Sequence, residues 1–289
     1  MVNYRSIYEN KVVWITGSSS GIGEQAAYQL NALGARLILS ARNEEQLLIT
    51  TKRCKTNSPV RILPVDLNEQ QTLSQKCREA LEFFGHIDFL FNIAGIAHRD
   101  LALNTEISID RKIMQINYFG TIELSKFIIP AMIENGGGHI LVTSSLSGKY
   151  GIPMLSAYAA SKHALQGFFS SLRGEVLHNN IKITIVIPGL IKTNIIENAL
   201  TGDGSVYGKN LKIQDKGYPS EMCARKIIEA VAKEKEEVFI GGKEGISLIM
   251  NRLFPGSFSG IIRNHPVKKL RKLKGFFMPE KNNKTDLNF

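Results

Sequence analysis

The chain has 289 residues, 43% of them hydrophobic and 21% charged, with a formal net charge of +10. That apolar content excludes a disordered chain, and the absence of a composition break or linker argues for one large folded body. No run of eighteen apolar residues occurs, which excludes a helical membrane span.

In chain order, residues 1–10 are polar and of mixed charge, without the charged-then-apolar pattern of a signal peptide. From residue 11 to 240, short apolar runs rich in β-branched residues alternate with amphipathic stretches, the pattern of βαβ units feeding a parallel sheet. Strands are expected at 11–16, 35–41, 60–66, 87–92, 139–145, 181–187 and 237–240. Helices are expected near 21–33, 44–56, 68–84, 108–134, 156–178 and 220–235. The strands read as continuous apolar runs, as they do where helices cover both faces. The fold class is therefore α/β, a doubly wound Rossmann-type sheet of seven mainly parallel strands plus a C-terminal extension.

A dinucleotide-binding and catalytic domain is expected over 1–242, with the pattern-poor stretch 189–219 as its lid. Residues 243–289 form a basic extension that carries a net +7 and leaves only +3 for the body. Cys54, Cys77 and Cys223 are odd in number and lack metal-ligand spacing, which fits a reducing, cytoplasmic compartment. His98, His163 and His178 show no ligand spacing either, so no metal is expected, and His139 reads as structural.

The first strand runs into Thr16-Gly17-Ser18-Ser19-Ser20-Gly21-Ile22-Gly23, after which an amphipathic helix starts. Glycines there let the backbone turn tightly and approach a pyrophosphate, while the helix N-terminus faces the anion. At the end of the second strand, where an acid would bind the adenosine ribose of NAD, the chain reads Ser40-Ala41-Arg42-Asn43. Arg42 suits the 2′-phosphate of NADP, or it is an ordinary solvated arginine. Asp66, closing the third strand, either accepts from the adenine amino group or caps the next helix. Tyr158 and Lys162 are four apart on one helical face, and Ser144 and Ser145 close the fifth strand just before them. The four-residue spacing alone is weak, and its neighbours give it weight.

These residues together resemble the short-chain dehydrogenase/reductase superfamily in its Tyr-x-x-x-Lys form. The resemblance spans about residues 10–240 and rests on six motifs in order: TGSSSGIG at 16–23, the Asp66-Leu67 pair, Asn92-Ile93-Ala94-Gly95, Asn117, Ser145 with YAASK at 158–162, and PGLIKT from Pro188-Gly189 to Thr193. It implies that Ser145 hydrogen-bonds the substrate oxygen, that Tyr158 gives or takes its proton, and that Lys162 lowers the tyrosine pKa while binding the nicotinamide ribose. Asn117 would hold a relay water, Asn92 would stabilise the central strand, and Thr193 would bind the cofactor near its nicotinamide. Ser19, Ser20, Gly21, Ile22, Gly23, Leu67, Ala94, Gly95, Pro188 and Gly189 would complete the cofactor site. Within the superfamily the chain is most like the membrane-associated dehydrogenases of the 11β-hydroxysteroid type and their orphan relatives. Those carry an N-terminal anchor, for which ten residues before the first strand leave no room. Ser20 also stands where many NADP-dependent members place a basic residue, so the NADPH expectation rests mainly on Arg42.

The resemblance thus implies an NADP(H)-dependent enzyme interconverting a lipophilic ketone and its alcohol. A 3-oxoacyl-carrier-protein reductase and a catalytically silent NADP-binding regulator are the alternatives. Ile195, Ile196, Ala199, Leu200 and Tyr207 make the lid apolar, facing either a lipophilic substrate or the body. A homodimer or homotetramer is implied through the helices near 108–134 and 156–178. In the extension, Lys268, Lys269, Arg271, Lys272 and Lys274 are flanked by apolar residues. Residues 261–278 therefore read either as a peripheral contact with an anionic membrane or as a helix packed on the body. No nucleic-acid partner is expected, because the body is nearly neutral.

Overall fold

The structure, a computed structural model, describes residues 4–209 and 215–264. Its chain begins with a short helix α1 (Tyr4–Tyr8), followed by strand β1 (Val12–Thr16), all of whose residues are buried. A strand buried on both faces needs helices above and below, and its successive side chains go to opposite sides. Val12 and Trp14 accordingly join one apolar cluster, and Val13 and Ile15 join the other.

The elements that follow are α2 (Gly21–Ala32), β2 (Arg36–Ser40), α3 (Glu44–Arg53), β3 (Val60–Ile62), α4 (Gln70–Phe84) and β4 (Phe89–Asn92). Next come α5 (Ile107–Met114), α6 (Gly120–Glu134), β5 (Gly138–Thr143), α7 (Ser156–Glu175) and β6 (Ile181–Pro188). The chain continues through β7 (Ile191–Lys192), β8 (Tyr218–Pro219), α8 (Ser220–Ala232), β9 (Glu237–Ile240), α9 (Ile246–Leu253) and α10 (Pro255–Asn264). Seven strands form one sheet in the order β3-β2-β1-β4-β5-β6-β9, every neighbouring pair parallel. Leu73 and Cys77 of α4, Leu124 and Ile128 of α6, and Leu165 and Phe169 of α7 pack one face. Ala26 and Leu30 of α2 and Cys223 and Ile227 of α8 pack the other.

Four local features differ from the sequence expectation. The third strand ends at Ile62 instead of residue 66; past it, Leu63 N and Val65 N still donate to Leu39 O and Ala41 O, at 2.9 and 3.1 Å, on either side of Pro64. The helix expected over 108–134 is interrupted by a π turn at Gln115–Phe119. The pattern-poor 189–219 contains β7 paired with β8 and bridges joining Leu200 to His98 and to Val206; residues 210–214 lie outside the described ones. Helix α1 was not expected: Tyr8 is fully buried, donates to Ile228 O at 2.9 Å and lies against the Phe89 ring. His139 is buried, bonded to Thr184 Oγ1 at 2.8 Å and pushed down by burial to about 4. Of the extension, residues 243–264 are described, while Lys268–Lys274 lie outside the described residues.

Trp14 is the chain's single tryptophan, and its indole N–H donates to Ser40 Oγ at 2.8 Å inside the sheet. Ser40→Ala leaves that buried donor unpaired, which costs about 1–3 kcal/mol. The expected result is a lower urea midpoint at unchanged m-value, followed by Trp14 fluorescence. An unchanged midpoint would show that the indole finds another partner.

Candidate active site

Strand order reverses at β1: the chain leaves β3 on one side and re-enters the sheet at β4 on the other. Open α/β sheets hold their ligands in the crevice at the carboxyl ends beside such a point. A cleft of about 1140 Å³ lies there. Thr16 Oγ1 shapes its floor by accepting from the N–H groups of Ile93 and Ala94, both at 3.2 Å. Gly17 has φ +72°, and a Cβ on it would lie 2.8 Å from Ala94 N and Cα. A Cβ on Gly23 would come within 2.3 Å of Gly17 O, so both positions exclude a side chain. Ser20 precedes α2 in extended conformation and makes no side-chain cap, leaving the first N–H groups of the helix for a ligand. Gly17, Ser19, Ser20, Gly21, Ile22 and Gly23 all line the cleft, and a Cβ on Gly21 would sit 3.1 Å from Thr193 Cγ2.

Arg42, exposed at the same end of the cleft, has no ion pair or side-chain hydrogen bond among the described residues. Its neighbour Asn43 caps α3 by accepting from Gln46 N. Asp66 and Leu67 also line the cleft; Asp66 Oδ1 accepts from Asn68 N at 2.9 Å, a local turn preceding α4 rather than a cap of that helix.

At the other end stand Ser145, Tyr158 and Lys162. Ser145 follows β5, and its Oγ accepts from Ser147 N at 3.1 Å. Its O–H proton stays available. Ser144 instead donates to Lys162 O and accepts from Gln166, so it belongs to the packing of α7. Lys162 is 3% exposed; Nζ donates to Thr143 O at 2.8 Å and lies 5.7 Å from the Tyr158 ring centroid. Burial pushes the Lys162 ammonium down to about 8 and the Tyr158 phenol above its ordinary 10, while a hydrogen bond with Ser145 pulls the phenol back. For the phenol, desolvation outweighs the lowering effect of Ser145.

Asn92 and Asn117 lie behind the cleft wall. Asn92 Nδ2 donates to Ser125 Oγ at 3.1 Å, tying β4 to α6, while its buried Oδ1 has no partner among the described residues. Both amide hydrogens of Asn117 are committed, to Ile96 O and Ser161 Oγ, and Oδ1 accepts from Ile96 N at 2.8 Å. Asn117 sits at the centre of the π turn, a feature frequent at functional sites. Gly95 leaves a space within 3.1 Å of Asn117 Oδ1 and 3.4 Å of Lys162 Nζ, and Ala94, Pro188, Gly189 and Thr193 complete the wall.

Sequence reading missed several contributors, four of them apolar or aromatic. Tyr150, Ile152 and Leu155 line the cleft from the loop between β5 and α7, and Ile262 lines it from α10. Nothing in their local pattern marks them; only the run of apolar residues after Ser145 hints at a hydrophobic pocket. With Ile195 and Ile196 they make this end of the cleft apolar. Ala199 is fully buried instead, which assigns it to the body.

The sequence pattern of the short chain dehydrogenase family matches residues 11–203. The chain is 38% identical over 280 residues to mouse dehydrogenase/reductase SDR family member 7B, covering 94% of this chain and 86% of that protein. It is 36% identical over 271 residues to the Drosophila melanogaster dehydrogenase/reductase SDR family protein 7-like, covering 92% and 83%. Among solved structures, levodione reductase superposes with TM-score 0.74 at 26% identity, over 83% of this chain and 99% of that one. A short-chain dehydrogenase/reductase from Burkholderia phymatum in complex with NAD superposes with TM-score 0.75 at 19% identity, over 85% and 94%, and supports the fold alone. With its parallel seven-stranded sheet and this extent of similarity, the chain belongs to the short-chain dehydrogenase/reductase family of oxidoreductases.

Proposed function

We propose that the protein is an NADP(H)-dependent oxidoreductase that interconverts a carbonyl and a secondary alcohol on a lipophilic substrate. The observation that carries this reading is that Ser145, Tyr158 and buried Lys162 line one cleft together with the uncapped N-terminus of α2. The residues present fit a dinucleotide: the glycine positions leave room for close backbone approach, and the N–H groups at the start of α2 suit a pyrophosphate. Arg42 would hold the 2′-phosphate, Lys162 the nicotinamide ribose and Thr193 the nicotinamide end, with Pro188 and Gly189 beside it. The cofactor supplies the hydride chemistry when bound.

The chain's own task is the proton. Tyr158 gives its proton to the substrate oxygen in reduction and takes it back in oxidation, and Ser145 donates a hydrogen bond to the same oxygen. Lys162 keeps an ammonium hydrogen free for this site, since Thr143 O takes only one of three. Exchanging a proton near pH 7 requires about three pKa units, or about 4 kcal/mol, below a free tyrosine. The space at Gly95 suits a relay water held by Lys162 and the remaining lone pair of Asn117 Oδ1. Apolar Leu155, Ile195, Ile196 and Ile262 favour a lipophilic substrate. A carrier-protein-bound substrate and a silent regulator are separated from this reading by turnover of free ketones. Phe119, 47% exposed at the π turn, suits a homo-oligomer contact through α5, α6 and α7.

A peripheral membrane contact is the second reading, and α9 favours it. Two of the residues that α9 withdraws from solvent are polar, beside half-buried Leu248 and Met250: Ser247 bonds Tyr150 Oη at 2.7 Å, and Asn251 Nδ2 donates to Lys149 O at 3.3 Å. Ile246, Ile249 and Leu253 face outward, each about 60% exposed, Phe254 follows them, and Ile261 of α10 is exposed as well. This inverted amphipathic face precedes the basic run within 261–278, and no described helix is long and apolar enough to cross a membrane.

Three outcomes are expected. Tyr158→Phe keeps the ring and removes the proton, so turnover of a ketone panel falls by roughly 10² to 10⁴ while NADPH titration stays near wild type; retention of a tenth of wild-type turnover would refute the assignment. Ala41→Asp with Arg42→Ile shifts the ratio of NADPH to NADH dissociation constants toward NADH by at least about tenfold, as the loss of a bidentate charge pair implies. An unchanged ratio would assign the phosphate to another residue. The full-length protein sediments with anionic liposomes at low salt and is released at high salt, and Ile249→Asp with Leu253→Asp weakens that binding. Indifference of the wild-type protein to anionic liposomes would remove the membrane reading.

A further inference from the structure

The loop that closes the cleft beside Thr193 is held by groups outside its own β-strand. Gly189 N donates to Ile240 O at 2.8 Å, and Tyr218 N donates to Leu190 O at 2.7 Å. Leu190 N donates to a side chain, Glu244 Oε1, at 2.9 Å, and the same oxygen accepts from Gly242 N at 3.0 Å. The fit is tight. A Cβ on Gly189 would lie 2.1 Å from Glu244 Oε1, and one on Gly241 would lie 2.6 Å from it. Burial alone would raise the Glu244 carboxyl, yet the N–H groups of Gly242, Glu244 itself and Leu190 hold it below its ordinary 4.5, so it is a committed anionic acceptor.

Glu244 belongs to the turn that starts the extension, and the contacts continue from there. Ser247 Oγ donates to Glu244 O and shares a hydrogen bond with Tyr150 Oη, while the Tyr150 ring lies edge-on against Phe258, centroids 4.8 Å apart. Tyr150 and Glu244 both line the cleft. One short polar chain, Leu190–Glu244–Ser247–Tyr150, therefore joins the cofactor-side loop to the substrate-side loop.

We infer that Glu244 is a positioning residue: its carboxylate, presented by the extension, fixes the Gly189–Leu190 backbone against the nicotinamide half of the cofactor, while its backbone carbonyl, through Ser247, links the same turn to Tyr150. The inference rests on the dinucleotide reading of the cleft. It assigns an acceptor role to Glu244, so what matters is an oxygen at that point and not the charge itself.

The test is equilibrium binding to the full-length protein, using whichever of NADPH and NADH the wild-type protein binds more tightly, and in parallel the adenosine half of that cofactor, 2′,5′-ADP or 5′-ADP. Loss of a hydrogen bond to a charged acceptor corresponds to about tenfold in a dissociation constant. Glu244→Ala is expected to weaken the whole dinucleotide by at least about tenfold and to leave the adenosine half within about twofold of wild type. Glu244→Gln, which keeps an acceptor oxygen, is expected to stay within about threefold for both. A general destabilisation would weaken both ligands together, and that outcome overturns the inference. So does Glu244→Ala with unchanged dinucleotide binding, and so does Glu244→Gln as damaging as Glu244→Ala. A wild-type protein that binds neither dinucleotide overturns the functional reading itself, which distinguishes the two failures.

Discussion

The molecule depends on one close approach, between the turn at Gly17 and the backbone at Ala94. Thr16 Oγ1 holds the ends of β1 and β4 together by taking the N–H groups of Ile93 and Ala94, and the absence of a side chain at Gly17 allows the contact. Gly23 then packs on Gly17 O, which brings the first turn of α2 down onto the sheet. Side chains at either glycine would push the helix and strand apart. The cleft is therefore a consequence of how the strands end, and its anion-seeking end is built from backbone, with no cost in side-chain entropy.

The other end is built against electrostatic preference. Tyr158 and Lys162 sit where burial disfavours both phenolate and ammonium, and the protein offsets this with an acceptor for the ammonium, Thr143 O, and a hydroxyl donor for the phenolate, Ser145. Behind them Asn117 is held by Ile96 and Ser161, and Ser161 in turn donates to Tyr158 O. That chain makes α7 and the π turn one rigid unit. The π turn interrupts a helix at the point where Asn117 must face both neighbours, a geometry that a regular α-helix does not supply.

What the sequence made legible were features with a local period or a fixed spacing. Each buried strand, the glycine loop and the Tyr158–Lys162 pair declare themselves within about eight residues, because periodicity and turn chemistry are short-range. The length of β3 was misread because the ladder continues past Pro64 through the alternate N–H groups of Leu63 and Val65, without the regular geometry of a strand. The break at Asn117 was not legible, since its cause is a contact with Ile96, twenty-one residues away. Glu244 and Tyr150 lay beyond reach for the same reason: their partners are 54 and 97 residues distant in sequence. Tyr8 was hidden in a segment whose composition is polar, although a single aromatic ring with a hydroxyl partner is enough to dock one helical turn.

The extension shows the same physics in reverse. Most amphipathic helices bury their apolar face and show their polar one, whereas α9 uses Ser247 and Asn251 to grip the body and leaves Ile246, Ile249 and Leu253 outside. Net hydrogen bonds contribute about 1 kcal/mol each, while fully burying one large aliphatic side chain contributes about 1.5–3 kcal/mol. Half-buried Leu248 and Met250 and buried Phe258 of α10 add apolar burial to those hydrogen bonds, while the aliphatic side chains outside remain exposed. The inner contacts run through Glu244 and Tyr150, so α9 is joined by hydrogen bonds to the two loops that bound the cleft.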